Sequence, residues 1–412
     1  MNIADLEVFS QLSFKVRSTA RRVRTIFKSL GGCIHFAHEN RFAHLLSSSE
    51  VTDCLPAMTS RQAKVVIQNV SIFDGQQMKS GQTVAFEHGL IVKDTRDATA
   101  IVDGNGGFLI PGLIDTHAHV HGVEDLVLMA RHGVTTCLDM GTRDISVFES
   151  LRGGVGHCDI RSAGIPAMSA GSRLTSKPGF PQRLLVNRPE DAKHFVADRI
   201  SDGADYVKIM MEAEGPDQET ANAMVAQAHE QGRRIVAHAT SCPTFEKAVT
   251  AKVDIVTHVP LEHPLNNDVI SNMKAAELVA VPTLVKMIAL AADDSKLDYA
   301  NAKSSAKSLK EAGVAILAGT DANKHSHGVN RVSYGDSMWK ELELLVEVGL
   351  SPLEAVQSAT YQPAAVFGLT DRGVIEAGKR ADLILLSKNP LANITDINSV
   401  QRVWCYGMQV EV

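Results

Sequence analysis

No stretch of this chain reaches the roughly 18 consecutive apolar residues that a membrane-crossing helix requires, so a helical membrane protein is excluded. Cysteine is sparse: Cys33, Cys54, Cys137, Cys158, Cys242 and Cys405 lie far apart and form no CxxC pair. That excludes a disulfide scaffold and a cysteine zinc site, and fits a reduced, cytoplasmic protein. A basic stripe is missing as well. Lys and Arg are dispersed and the formal charge is -6, which leaves no electrostatic footprint for nucleic acid. Long internal repeats and low-complexity segments are absent. What the chain does have is 44% hydrophobic residues over 412 positions. This suffices for a large buried core, either one large barrel or a barrel with an appended module.

The first stretch, residues 1–62, differs from the rest. Arg17, Arg21, Arg22 and Arg24 are interleaved with Phe9, Leu12, Phe14, Val16 and Phe27. The pattern fits a mitochondrial targeting peptide, although Asp5 and Glu7 are out of place in an acid-poor signal. It fits equally well an extension outside the fold, since Met58 stands just before the first convincing strand.

From Lys64 the segments KVVIQNVSIFDG and TVAFEHGLIV and the run ending at Phe108, Leu109 and Ile110 read as short strands separated by glycine turns. Beyond Pro111 short apolar runs alternate with helical patterns. The runs are GLIDTHAHV, VTTCLDM, IRSAGIPAM, DYVKIMM, RIVAHA, DIVTHV, LVAVPTL and VAILAGTD, eight in all. Helices are predicted between most of them, at 124–132, 189–201, 218–231, 244–251, 266–276 and 299–312. This alternation, with strands buried on both faces, predicts an α/β protein built on a TIM-like (β/α)8 barrel. A doubly wound open sheet is the competitor, but no glycine-rich phosphate fingerprint follows the first apolar run. A helix is predicted at 337–348, and another opens at Ser351 with Pro352 in its first turn and Glu354 completing a capping box. The chain then returns to β character in RADLILLSKN and VQRVWCYGMQV. These late strands can pair with the early ones in a small β-sandwich domain made from both flanks of the barrel. The expected division is 63–110 with 369–412 for that domain and 111–368 for the barrel.

Polar residues fall at telling places in the apolar runs. His117 and His119 lie two apart on the first, so strand alternation turns both imidazoles to one side. Lys208 interrupts the fourth run; His238, His258 and Asp321 end the fifth, sixth and eighth. A barrel assembles its active site at the C-terminal ends of its strands, so one site can collect them. A lone histidine there is ordinarily a hydrogen-bonded structural residue. The constellation, not any member, carries the argument. Neutral imidazoles and a carboxylate suit Zn²⁺ and similar divalent ions, which activate water for hydrolysis near neutral pH. Asp321 is placed to accept the proton of that water and return it to a leaving group. Among Tyr206, Val207, Ile209 and Met210, Lys208 favours its neutral amine, which can take up CO₂ and become an anionic carbamate bridging two metals. Its other readings are a snorkelling strand-flank lysine or a phosphate-binding cation.

The segment PGLIDTHAH, residues 111–119, resembles the opening motif of the amidohydrolase superfamily, and AGTD, residues 318–321, its closing motif. The stretch GVIEAGKRADL, residues 373–383, is similar to the motif at which members of that superfamily re-enter their small β domain. The resemblance runs from about Lys64 to the end. It implies that His117, His119 and Asp321 hold a first metal, that His238 and His258 hold a second, and that carbamylated Lys208 bridges them. Within the superfamily, YVKIMMEA and ELELLVEVGLSPLEAV look most like the group of Xaa-Pro and Xaa-Arg dipeptidases, imidazolonepropionase-like proteins and ochratoxin-hydrolysing amidases. The resemblance therefore implies a homo-oligomeric, binuclear zinc hydrolase of an amide or peptide-like C–N bond in a small molecule. Two alternatives stand beside it: a one-metal deaminase or imidazolonase, and a catalytically silent scaffold of the same fold.

Around this core, His121 extends the pair to HAHVH and is given a structural role behind it. The loop KHSHGVNRVSYGDS after Asp321 offers His325, His327, Arg331 and Tyr334 as substrate contacts. GSRLTSKPGFPQ, residues 171–182, reads as a lid. Related amidases often carry a histidine where this chain has Trp339, which implies altered substrate contacts.

Overall fold

A computed structural model of the chain describes residues 63–412 other than 143–144, 173–174, 177–179 and 325–330. The stretch 1–62, with both of its readings, lies outside the described residues. The strands before Gly112 are β1 (Val65–Phe73), β2 (Met78–Glu87), β3 (Leu90–Val92), β4 (Ala100–Asp103) and β5 (Phe108–Pro111). The central strands are β6 (Leu113–His119), β7 (Val134–Asp139), β8 (Asp159–Ser162), β9 (Val207–Met210), β10 (Ile235–His238), β11 (Ile255–Thr257), β12 (Val279–Val281), β13 (Ala315–Ile316) and β14 (Ala322–Asn323). Last come β15 (Leu383–Leu386), β16 (Val400–Cys405) and β17 (Met408–Val410).

Early and late strands share one eight-stranded mixed sheet in the order β17-β16-β15-β5-β1-β2-β3, with β4 also on β1. The junction is the antiparallel pair β5 and β15, where Ile110 faces Ile384. One face of this sheet buries Ile67, Phe86, Leu109, Leu383 and Trp404, with the rings of Phe86 and Trp404 edge to face at 6.0 Å.

Each of the eight apolar runs overlaps one of the strands β6 to β13, and the pairing among them is parallel. They form two arcs, β14-β6-β7-β8 and β13-β12-β11-β10-β9. Hydrogen bonds cross both gaps between the arcs. Beyond β8, Ala167 donates to Lys208 O at 2.8 Å and accepts from Met210 N at 3.0 Å; beyond β13, Thr116 N donates to Ala318 O at 3.1 Å. Strands of both arcs contribute to a second apolar cluster that includes Ile114, Leu138, Val236, Ile255, Val281 and Leu317. Ile114 and His117 differ in parity, so strict alternation would turn them to opposite faces. A register shift in the β6–β7 pairing between Asp115 and Ala118 lets both face inward.

Helices between the strands follow the amphipathic pattern read from the sequence, and bury their apolar stripe, with Leu126, Phe195, Met224, Phe245 and Leu309, in the main core. Ser351 and Glu354 form the expected capping box, with Ser351 N donating to Glu354 Oε2 at 2.8 Å. Two helices lie beyond the sequence expectation, Leu284–Asp293 and Tyr361–Val366. The first continues directly from the apolar run of β12, where periodicity cannot separate a buried strand from a buried helix. No helix among the described residues is long and apolar enough to cross a membrane.

A buried ion network ties β8 to the segment that leads into β15. Arg372 Nη1 donates to Asp159 Oδ2 at 2.8 Å and to Thr136 Oγ1 at 2.9 Å, and Arg161 Nη1 reaches Asp159 at 3.1 Å.

Candidate metal centre

Three strand ends deliver side chains to one place, and each does so through an unusual backbone. His258 follows β11 with φ 74°, Thr283 follows β12 with φ 49°, and Asp321 follows β13 with φ 55°. Residues other than glycine rarely hold this left-handed conformation, and where they do the strain is commonly tied to a site. Here the turn redirects the side chain as the strand ends. Gly319 makes room: a Cβ there would come within 2.8 Å of Thr116 Oγ1 and 3.0 Å of His117 Cβ.

His117, His119 and Asp321 each present a ligand atom, all within 4.8 Å of one another. Asp321 Oδ1 lies 3.2 Å from His119 Nε2 and 3.6 Å from His117 Nε2. The His258 ring is 4.9 Å from that of His117, and the His238 ring is 4.6 Å from that of His258. Lys208 is buried on β9 and donates to Thr257 Oγ1 at 3.0 Å.

Burial and neighbouring charge set the protonation states. Burial, then the Lys208 charge, pushes His117 well below the usual histidine range and His238 down to about 3. His258 is driven well below that range by burial and by His238. Burial lowers Lys208 to about 7, against the attraction of Asp321. Burial alone would raise Asp321, but the hydrogen bond from His119 and the charges of His117 and His119 hold it well below the carboxylate range. His119 moves the other way: burial opposes its charge, and Asp321 outweighs burial and raises it.

The donor set therefore fits a divalent metal. It combines imidazoles, those of His117, His238 and His258 driven toward the neutral form, with a carboxylate held toward its ionised form, and the buried Nδ1 of His117 has no hydrogen-bond partner among the described residues. A nearby amine that loses its proton near neutrality is also what carbamate formation requires.

A family model described as the amidohydrolase family matches residues 108–410. The chain belongs to the amidohydrolase family. It is a hydrolase acting on carbon–nitrogen bonds. An enamidase of Eubacterium barkeri is 25% identical over 372 residues, covering 81% of this chain and 89% of that protein. An imidazolonepropionase of Idiomarina loihiensis is 26% identical over 372 residues, covering 75% and 85%. Among solved structures, a Xaa-Pro dipeptidase with methionine bound in its active site is 24% identical, with a TM-score of 0.74 over 85% of this chain and 100% of that one. At that identity the likeness shows a shared fold.

One of the expected substrate contacts, Tyr334, stands beside this amidohydrolase centre. Tyr334 is buried; its hydroxyl donates to the His119 carbonyl at 2.6 Å and stands 3.2 Å from His121 Nδ1. Arg331 is exposed. His325 and His327 lie outside the described residues, as do parts of the expected lid at 173–174 and 177–179. Trp339 donates its indole N–H to the His132 carbonyl at 2.9 Å and meets the His132 ring edge-on, packing against the end of the helix Val123–Arg131.

Sequence reasoning passed over four buried groups. Asp115, raised to about 6 by burial, accepts from Thr320 Oγ1 at 2.6 Å. Lys286 places Nζ 4.0 Å from Asp321 Oδ2, and Thr283 Oγ1 stands 2.8 Å from His258 Nδ1. Glu341, pushed up to about 8 by burial, accepts two backbone N–H groups. Signals existed for two of them. Lys286 is the lone charge in PTLVKMIAL, and Glu341 falls on the buried stripe of its helix with Met338, Leu342 and Leu345.

Proposed function

We propose that this amidohydrolase is a binuclear metal enzyme that cleaves an amide or peptide-like bond of a small molecule. The observation that carries the reading is the convergence of His117, His119 and Asp321 with His258 and His238. On this reading the two arcs are one (β/α)8 barrel over residues 111–368, and 63–110 with 369–412 make the small β domain. The hydrogen bonds across both gaps and the apolar cluster shared by the two arcs support it.

His117, His119 and Asp321 would hold one divalent ion, zinc by donor type, and His238 and His258 a second, with Lys208 N-carboxylated between them. When bound, such ions supply Lewis acidity for water activation and carbonyl polarisation. Asp321 then accepts a proton from the attacking water and returns it to the departing nitrogen. Thr257, bonded to Lys208, and Thr283, bonded to His258, orient their partners.

A second reading, a one-metal centre acting on a cyclic substrate, draws support from the imidazolonepropionase among the sequence relatives. The test is metal analysis joined to a panel of N-acyl amino acids, dipeptides and cyclic amides. Two equivalents of metal, a carbamate carbon signal on Lys208 and turnover of a linear amide are expected. About one equivalent with a free Lys208 amine would favour the second reading, and no turnover by metal-loaded protein would leave the silent scaffold.

A further inference from the structure

Thr283 is fully buried and left-handed, with φ 49°. A β-branched residue keeps that conformation only where its surroundings impose it. The next two residues show what imposes it. Glu341, buried on the helix Asp336–Glu347, accepts Leu284 N–H at 3.0 Å and Val285 N–H at 2.8 Å, one on each carboxylate oxygen. These N–H groups open the helix Leu284–Asp293 and can find no partner within it. The turn is thus clamped from a separate helix. Two side chains on it reach the centre: Thr283 Oγ1 stands 2.8 Å from His258 Nδ1, and Lys286 Nζ lies 4.0 Å from Asp321 Oδ2.

We propose that Glu341 is a positioning residue of the centre: by clamping the first turn of Leu284–Asp293 it holds Thr283 left-handed, and the Thr283 hydroxyl in turn bonds Nδ1 of His258 and fixes the orientation of its ring. The assignment rests on the metal-hydrolase reading for its purpose, but its mechanics do not need a metal to be seen. A ligand imidazole is oriented by the bond its other nitrogen makes, and loss of such a bond typically weakens metal binding by about 10–100-fold.

The test compares Glu341→Ala, Glu341→Gln, Thr283→Gly and the corresponding double variants. Two quantities are read: zinc affinity by chelator competition, and the ring ¹⁵N signals of His258 in metal-free, ¹⁵N-histidine-labelled protein. Wild type is expected to show one set of His258 ring signals. Glu341→Ala should shift or broaden those signals and weaken the second zinc equivalent about 10-fold. Glu341→Gln, which keeps one acceptor oxygen, should fall between. Glycine adopts the left-handed turn without strain and carries no hydroxyl, so in a Thr283→Gly background the loss of Glu341 should leave the His258 signal unchanged. A folded Glu341→Ala protein with wild-type ring signals and zinc affinity would overturn the proposal, as would an undiminished effect of the Glu341 change on His258 in the Thr283→Gly background. If Glu341→Ala does not fold, Glu341→Gln carries the same comparison. Failure of wild type to bind zinc would defeat the metal reading alone, because the ring signals of metal-free protein still decide the positioning.

Discussion

Asp321 Oδ1 lies 3.2 Å from Nε2 of His119, although the two residues belong to opposite ends of the parallel-strand region. The contact joins a carboxylate held well below its ordinary range to the imidazole whose charged form it favours, and it marks where metal ligation and proton transfer would meet.

Substitutions in this cluster should separate those two roles. His117→Ala and Lys208→Ala are expected to lose both metal and activity. Asp321→Asn should retain part of its metal while kcat falls by about 10²–10⁴-fold, the usual contribution of a proton-transferring group. Metal analysis alongside steady-state kinetics checks this. Full metal content with normal activity in Lys208→Ala would remove the bridging carbamate.

Tyr334 offers a choice between contacting substrate and bracing the centre. Its hydroxyl already donates to the His119 carbonyl, so Tyr334→Phe leaves a carbonyl without its donor. The expected result is a stability loss of about 1–3 kcal/mol with KM unchanged. Urea unfolding and substrate titration measure the two, and a raised KM with unchanged stability would make Tyr334 a substrate contact instead.

The pair Arg372 and Asp159 should contribute to the acid sensitivity of the fold. Burial would raise the Asp159 carboxyl, but Arg161 and Arg372 together hold it below its ordinary value. A carboxyl depressed in the folded state stabilises the fold above the unfolded-state value, and that contribution is lost as pH falls through the depressed one. Melting temperature should therefore drop on acidification below about pH 4, near the ordinary carboxylate value. Arg372→Met should cost stability toward the lower end of about 3–5 kcal/mol, because Arg161 still reaches Asp159 at 3.1 Å. It should also flatten the acid dependence. Melting curves from pH 3 to 7 in both proteins decide the matter, and parallel curves would refute it.

How much of this was legible beforehand differs residue by residue. The apolar runs marked β6 to β13 because strands buried on both faces need continuous apolar sequence, and the alternation of His117 with His119 put both rings on one side. The capping box at Ser351 was readable because its bonds are local. The helix Leu284–Asp293 was hidden because its first turn continues an apolar strand without a break.

The sequence by itself determined the α/β alternation, the return to β character at the end of the chain and the polar residues that end the apolar runs, since each follows from short-range periodicity and residue chemistry. Only the tertiary structure decided that Asp321 and His119 lie 3.2 Å apart, that the Tyr334 hydroxyl bonds the His119 carbonyl, and that Glu341 reaches the turn bearing Thr283. Those relations join residues from distant strands and helices. Their distances depend on how the elements pack and on left-handed turns at His258, Thr283 and Asp321, which no local pattern encodes.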